Sequence, residues 1–312
     1  MDYKYVKNSP QKYKDIKQLK LRSMGLDEDL TYINSKYDTS IFGSRDIGFF
    51  AEDENNFPAA YYGVFPIRAT YNGEHIIIAQ SGDTMTDPDH RKRGLFTKLA
   101  KETYSYAGKN NISFVFGFPN KFSYPGFKKK LDWKFFGNMH EFIIKTNSFP
   151  LCELSKKYPA LKNIYRKLLD KRIGKYKLDI NEQNIKPLDC INGDFHVVRD
   201  INFYKYKEGV DKYLVKLNGF TLFVRADIHL FIGDVSYFEA DKLDLFISTI
   251  KQLSKITMSL KVILIVSKKH WLHDLLEKSV TPKESLPIGF YTCSNSFEYD
   301  KMVLSVADYD TF

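Results

Sequence analysis

The chain has 312 residues, room for two domains of ordinary size, and with 43% apolar and 27% charged residues it is globular rather than disordered. It contains no apolar run of membrane-spanning length and no signal-peptide core, so a cytoplasmic protein with no membrane partner is expected. The net charge of +9 is spread along the chain with no zinc-finger or RNA-recognition signature; a lysine-rich solvated surface accounts for most of it, and an anionic small ligand fits at least as well as nucleic acid.

In chain order, residues 3–6 read as a short strand. Pro10 opens a helix that places Tyr13, Ile16, Leu19 and Met24 near one face and ends at Gly25; a second short helix covers 28–37. Strands at 47–51, 59–67 and 74–85 are joined by turns at Asp53-Glu54-Asn55-Asn56 and Asn72-Gly73, a meander. Leu95, Phe96, Leu99, Ala100, Thr103 and Ala107 then recur at helical spacing up to Gly108. Residues 112–118 form a continuous apolar run suited to a strand buried on both faces. A short helix over 127–131 and a strand over 135–145 complete the order β-α-α-β-β-β-α-β-α-β.

Residues 151–184 are basic and helix-leaning, with Ile164, Leu168 and Leu169 as an apolar stripe. They read as a linker; an amphipathic membrane-surface helix is the sharper alternative, against which the weak apolar face argues. From Phe195 the alternation resumes: a strand at 195–198, a hairpin of 213–217 and 221–225 across Asn218-Gly219, a strand at 230–235, a helix carrying Leu243, Phe246, Ile247, Ile250 and Leu253, a strand at 262–266 and a helix at 271–278. The second half thus repeats the element order of the first. The cysteines, Cys152, Cys190 and Cys293, are too far apart for a zinc motif or a disulfide framework.

One stretch organises the chain. The strand His75-Ile76-Ile77-Ile78-Ala79-Gln80 runs on to Thr84-Met85-Thr86, then Asp87-Pro88-Asp89-His90, then Arg91-Lys92-Arg93-Gly94-Leu95-Phe96 opening a helix. A strand, a basic glycine turn and a helix N-terminus aim several backbone N–H groups at one point, which suits a phosphate. The second half has no counterpart of this turn.

Arg91-Lys92-Arg93-Gly94-Leu95-Phe96 resembles motif A of the GNAT acyltransferase superfamily, which reads Arg/Gln-x-x-Gly-x-Gly/Ala between a strand and a helix. The lead-in with Pro88 three residues before Arg91, and the element order of residues 3–146, are similar to the same family. The resemblance implies an acyl-coenzyme A (acyl-CoA) co-substrate and no permanently bound cofactor. Its pyrophosphate would sit on the amides of Lys92 to Phe96, its pantetheine along Thr84, Met85 and Thr86, with Asn120 hydrogen-bonding it in passing. A backbone N–H near Met85 would polarise the thioester carbonyl. Phe96 departs from the family's Gly/Ala, and its ring is expected to point into the helix–sheet interface.

For the chemistry, Asp83 is a candidate base beside the pantetheine strand, or a turn carboxylate that fixes loop geometry. His90 is a second candidate base, with a cap or phosphate contact as the bland role. His140 and Glu141 lie on a strand on which one of them faces the cleft by alternation. The family's acid is a tyrosine; aligning Leu131-Asp132-Trp133 with the family's Leu-Gly-Phe puts Lys128 at that position, with Tyr124 near but shifted, either reaching the sulfur or stacking in the cleft. Arg68 reads as an acceptor-phosphate contact or a surface ion pair. His196, His229, His270 and His273 have no carboxylate or cysteine at ligand spacing, and no metal is expected.

The expected fold is therefore α/β (α+β): two tandem GNAT-like domains, each a mixed, mostly antiparallel sheet flanked by helices. Residues 1–150 are the domain with the acyl-CoA site, 151–190 a basic helical linker, and 191–312 a degenerate second copy. That arrangement resembles the sugar N-acyltransferases of the superfamily, as do Phe118-Pro119-Asn120 and the closing Ala307-Asp308-Tyr309-Asp310. It implies direct transfer from acetyl- or 3-hydroxybutanoyl-CoA to the amino group of a nucleotide-linked deoxysugar. The alternatives are a GNAT acetyltransferase of another small amine or peptide, and a non-catalytic acyl-CoA sensor. A monomer and a homodimer are equally compatible.

Overall fold

The computed structural model describes residues 2–180, 195–209, 211–294 and 296–312. Cys190 and the end of the expected linker, 181–190, lie outside the described residues. The chain divides into two compact units, one of residues 1–137 with 287–300 and one of residues 138–286 with 301–312.

The first unit runs β1 (Lys4–Lys7), α1 (Tyr13–Met24), α2 (Leu30–Tyr37), β2 (Ile47–Glu52), β3 (Pro58–Tyr71), β4 (Glu74–Thr86), α3 (Leu95–Lys109), β5 (Ile112–Gly117), α4 (Tyr124–Lys130) and the first residues of β6 (Lys134–Lys145). The sheet order is β1-β2-β3-β4-β5, antiparallel except for the parallel pair β4–β5. Asn72 (φ 51°) and Gly73 (φ 83°) are both left-handed, the conformation a two-residue hairpin turn needs to match strand twist. Alternation sends successive side chains to opposite faces. Tyr62, Val64 and Ala79 pack under α3 with Leu95, Leu99 and Tyr104, whereas Tyr61, Phe65 and Met85 pack with Tyr13, Ile16, Ile33 and Tyr37 of α1 and α2.

The second unit continues with α5 (Leu151–Lys157), α6 (Lys162–Ile173), β7 (Phe195–Val197), α7 (Ile201–Lys207), β8 (Lys212–Leu217), β9 (Phe220–Ala226), β10 (Leu230–Val235), α8 (Leu243–Ile256), β11 (Lys261–Ser267), α9 (Trp271–Glu277) and the start of β12 (Lys283–Thr292). Here β8, β9 and β10 form an antiparallel meander, α8 crosses over, and β11 returns parallel to β10. This is the order of β2, β3, β4, α3 and β5.

Two features differ from the sequence reading. Each sheet is completed by a strand from outside its own run of chain: β12 pairs antiparallel with β5 over Gly289–Thr292, and β6 pairs antiparallel with β11 over Met139–Lys145. The first unit therefore closes at Gly137, not at residue 150, and takes back 287–300. Second, residues 151–173 are not a free linker. Leu151, Cys152, Tyr165, Leu169 and Ile173 are buried in the core of the second unit, while Ile164 and Leu168, read as part of the stripe, are exposed. Tyr165, Leu169 and Ile173 are spaced four apart, so they share a helix face. Among the described residues no helix is long and apolar enough to cross a membrane.

Candidate active site

The parallel pairing of β4 with β5 covers only Ile77↔Ile112, Ala79↔Val115 and Gln80↔Phe116. Beyond Gln80 and Phe116 the two strands part. On the other side of β4 the register with β3 shifts: Gly63 faces Gly82 and Tyr61 faces Met85, so Asp83 and Thr84 together oppose Tyr62. Two residues against one is a β-bulge, which bends its strand and takes its residues out of the ladder. Asp83 sits in it at φ 47°.

The parting strands open a cleft of about 560 Å³, lined by Ser81, Gly82, Asp83, Thr84 and Thr86 from β4, and by Gly117, Phe118, Pro119 and Asn120 from the end of β5. Arg91 lines it from the turn before α3, Phe96 from the first turn of α3, Phe122 and Ser123 from the loop before α4, and Gly126 and Phe127 from α4. At its apex the β-carbon of a side chain on Gly117 would stand 3.3 Å from both Ser81 Cβ and Trp133 Cη2. A chain of hydrogen bonds fixes this apex: Trp133 Nε1–H donates to Tyr104 OH (3.0 Å), Tyr104 OH and Tyr62 OH are 2.7 Å apart, and Tyr62 OH is 2.6 Å from Ser81 Oγ. Burial raises the Tyr62 and Tyr104 hydroxyls above the usual phenol range.

The basic turn is built as the sequence requires. Lys92 (φ 63°) and Gly94 (φ 76°) are left-handed, and Gly94 is the N-cap of α3. Alternation of handedness along successive residues curls backbone N–H groups into an anion-binding nest. Arg91, Lys92, Arg93 and Gly94 are all exposed, while Leu95 is buried under the helix. The C-terminal end of α1 holds the turn: Arg22 pairs with Asp87 and with Asp89 (3.2 Å), and Arg91 Nη2 donates to Ser23 O at 3.4 Å. Neither Arg22 nor Ser23 carried a signal in the sequence.

Of the residues proposed from sequence, the cleft brings together Asp83, Thr84, Thr86, Arg91, Phe96 and Asn120. Met85 is instead buried among Tyr13, Tyr61 and Phe65. Asn120 lines the cleft, but its Oδ1 accepts the N–H groups of Phe122 (2.9 Å) and Ser123 (3.1 Å), which shapes the entry to α4. Phe96 packs edge-on to Tyr62 and Phe127, as expected of a ring in the helix–sheet interface.

Three catalytic candidates change character. The Asp83 carboxylate accepts from Lys20 Nζ (2.9 Å), Lys36 Nζ (3.1 Å) and Tyr37 OH (2.8 Å). Burial pushes its pKa up, but Lys36 and Lys20 outweigh burial and hold it below the usual carboxylate range. A carboxylate so committed is a poor proton acceptor. His90 is buried, its Nδ1 2.9 Å from Tyr3 OH and its ring stacked on Phe57, and it does not line the cleft. Tyr124 packs against Phe135 with centroids 4.6 Å apart and also lies outside the lining.

In the second unit, His273 corrects the reading that no histidine has carboxylates at ligand spacing. His273, Asp274 and Glu277 each offer a ligand atom within 4.8 Å of the others. His273 Nε2 lies 2.8 Å from His140 Nδ1. His229 likewise meets Glu153 Oε1 at 3.0 Å.

Residues 15–136 match the family profile described as an acetyltransferase (GNAT) domain. Among solved structures, a GCN5-related N-acetyltransferase from Kribbella flavida aligns with TM-score 0.61 at 12% identity, over 93% of this chain and 71% of that one. A GCN5-related N-acetyltransferase from Anabaena variabilis ATCC 29413 aligns with TM-score 0.57 at 14% identity, over 94% and 73%. Saccharomyces cerevisiae N-myristoyltransferase with bound myristoyl-CoA aligns with TM-score 0.55 at 9% identity, over 95% and 83%. At these identities the likeness is one of fold. No curated protein matches the sequence.

Proposed function

We propose that the cleft between β4 and β5 binds an acyl-CoA and passes its acyl group directly to a primary amine, in keeping with the match of residues 15–136 to an acetyltransferase (GNAT) domain profile. The observation that carries this reading is the parting of the strands after Gln80 and Phe116 beside a left-handed turn at Lys92 and Gly94. A pantetheine is a chain of amides; β4 beyond the bulge offers it an unpaired strand edge, as an added strand finds in a sheet. The turn offers N–H groups and the Arg91, Lys92 and Arg93 charges to the pyrophosphate.

In the reaction the amine nitrogen attacks the thioester carbonyl carbon. The carbonyl oxygen takes negative charge in the tetrahedral intermediate, where a backbone N–H of the bulge stabilises it. The carbon–sulfur bond then breaks, the thiolate takes a proton from water, and the amide remains. Asp83 is tied to two lysines and His90 and Tyr124 stand off the cleft, so the amine loses its proton to water, and positioning supplies much of the rate.

The acceptor that the sequence resemblance favours is an amino sugar on a nucleotide, with acetyl- or 3-hydroxybutanoyl-CoA as donor. The test is calorimetric titration with CoA, followed by thiol release from acetyl- and 3-hydroxybutanoyl-CoA across nucleotide amino sugars, aminoglycosides and peptides. Absence of CoA binding sinks the reading. Binding without thiol release on any amine favours an acyl-CoA sensor.

A further inference from the structure

We infer that Asp83 is a positioning residue for this transfer: its side chain locks the bulge that turns the backbone of β4 toward the acyl donor. The inference rests on the donor reading above and adds to it a determinant of rate that acts through the backbone of β4 rather than as an acid or base.

The left-handed backbone at φ 47° is a conformation glycine adopts without strain, and a residue with a β-carbon pays for it. The chain places aspartate here, directly after Gly82, so the side chain has to return what the backbone loses. It does so through three contacts from two helices. Lys20 of α1 and Lys36 and Tyr37 of α2 all donate to the carboxylate. Both lysine side chains are nearly withdrawn from water, at 2% and 6% exposure, against 9% for Asp83 itself. Lys20 also donates to Glu28 Oε2 at 2.6 Å, so two ammonium and two carboxylate groups balance within the cluster. Buried ions hold only where they are paired and hydrogen-bonded, and this set is paired at the one point where β4 leaves its register with β3. Release of the carboxylate lets the bulge relax, and the N–H groups of residues 83–85 lose their aim.

The experiment is the charge-balanced double variant Asp83→Asn with Lys36→Gln. Asparagine tolerates the left-handed backbone, and the Lys20–Glu28 pair is kept. Folding is followed by circular dichroism and melting, CoA affinity by calorimetry, and kcat and KM by thiol release from acetyl-CoA with the best amine of the panel. The expected result is a folded protein that binds CoA within about threefold of the parent, with kcat lowered about tenfold or more and KM for the amine little changed. Unchanged kcat in a folded variant overturns the inference. So does a loss of CoA affinity that matches the loss of kcat, because the cluster would then be holding the donor site as a whole. If the pair does not fold, Tyr37→Phe removes one contact and keeps the ring; kcat lowered about threefold at unchanged CoA affinity supports the inference, and unchanged kcat overturns it. Failure of the unaltered chain to bind CoA removes the donor reading itself, and is read separately from any variant.

Discussion

The ring of Phe96 occupies the place a side chain on Gly126 would need: a β-carbon there would stand 2.9 Å from Phe96 Cε1. The ring cannot readily withdraw, because it lies edge-on to Phe127 (centroids 5.2 Å apart) and to Tyr62 (5.8 Å). Replacing glycine by alanine inside a helix ordinarily gains about 1 kcal/mol. Here Gly126→Ala is expected to reverse that sign, to push the ring into the cleft and to weaken CoA binding. Phe96→Ala, which restores the small residue of the GNAT turn, removes the obstacle. The two substitutions together should couple by about 1 kcal/mol or more. Urea unfolding of the four proteins reads the coupling, and simple additivity of the single effects would disprove it.

Gly94 presents a different case. A β-carbon there meets no atom within 4 Å, but the backbone is left-handed at φ 76°. The cost of a side chain is therefore conformational, about 1–2 kcal/mol, and it falls on the turn proposed to hold the phosphates. Gly94→Val is expected to weaken CoA binding about tenfold in calorimetry while the far-ultraviolet spectrum stays that of the parent. Unchanged affinity would place the phosphate site elsewhere.

Much of this site is legible in the sequence because it depends on local geometry. The strand, basic turn and helix come from periodicity and from Gly94, and Asp132 stands at φ 53° where the resembling motif has glycine. What escapes is long-range. Asp83 shows as an acidic residue near a strand end, but its neutralisation depends on Lys20 and Lys36, far earlier in the chain. The bulge itself leaves no mark in the alternation, since Asp83 and Thr84 are both polar. The exchange of β6 and β12 is a matter of partner choice between strands that look alike. The buried stripe on α6 lies one residue beyond the more apolar Ile164 and Leu168, because the fold buries Tyr165 and ties its hydroxyl to Ala226 O at 3.1 Å.

Tyr124 supplies a test of the catalytic assignments. The resemblance suggests an aromatic acid near this position, yet the ring packs on Phe135 and Lys128 Nζ lies 5.6 Å from its centroid. Tyr124→Phe keeps the ring and removes its hydroxyl, the group that would give the proton. Acyl transfer is expected to stay within about twofold of the parent. A fall of about a hundredfold in kcat would return Tyr124 to the role of acid.

His270 couples the stability of the second unit to pH. It is the N-cap of α9, and its Nδ1 accepts the Leu272 N–H at 3.1 Å, which requires the neutral ring. Burial, and then the positive charge of Arg199 and the neighbouring His273, push its pKa down from 6.5 to about 3. The unfolded chain therefore binds the proton more readily than the folded one between those two values. Stability contributed by neutral His270 is complete above about pH 6.5 and is lost as pH falls below it, by at most about 1.4 kcal/mol per unit. His270→Asn keeps an N-cap acceptor and removes the titration. Urea unfolding followed by the fluorescence of Trp271, with Trp133 replaced by Phe in both proteins, should show a shallower decline between pH 7.5 and 5.5 for the variant. Some slope will remain, since burial and the His273 charge lower His140 as well. Equal slopes in the two proteins would mean that His270 takes up its proton equally in the folded and unfolded states and that another group sets the acid response.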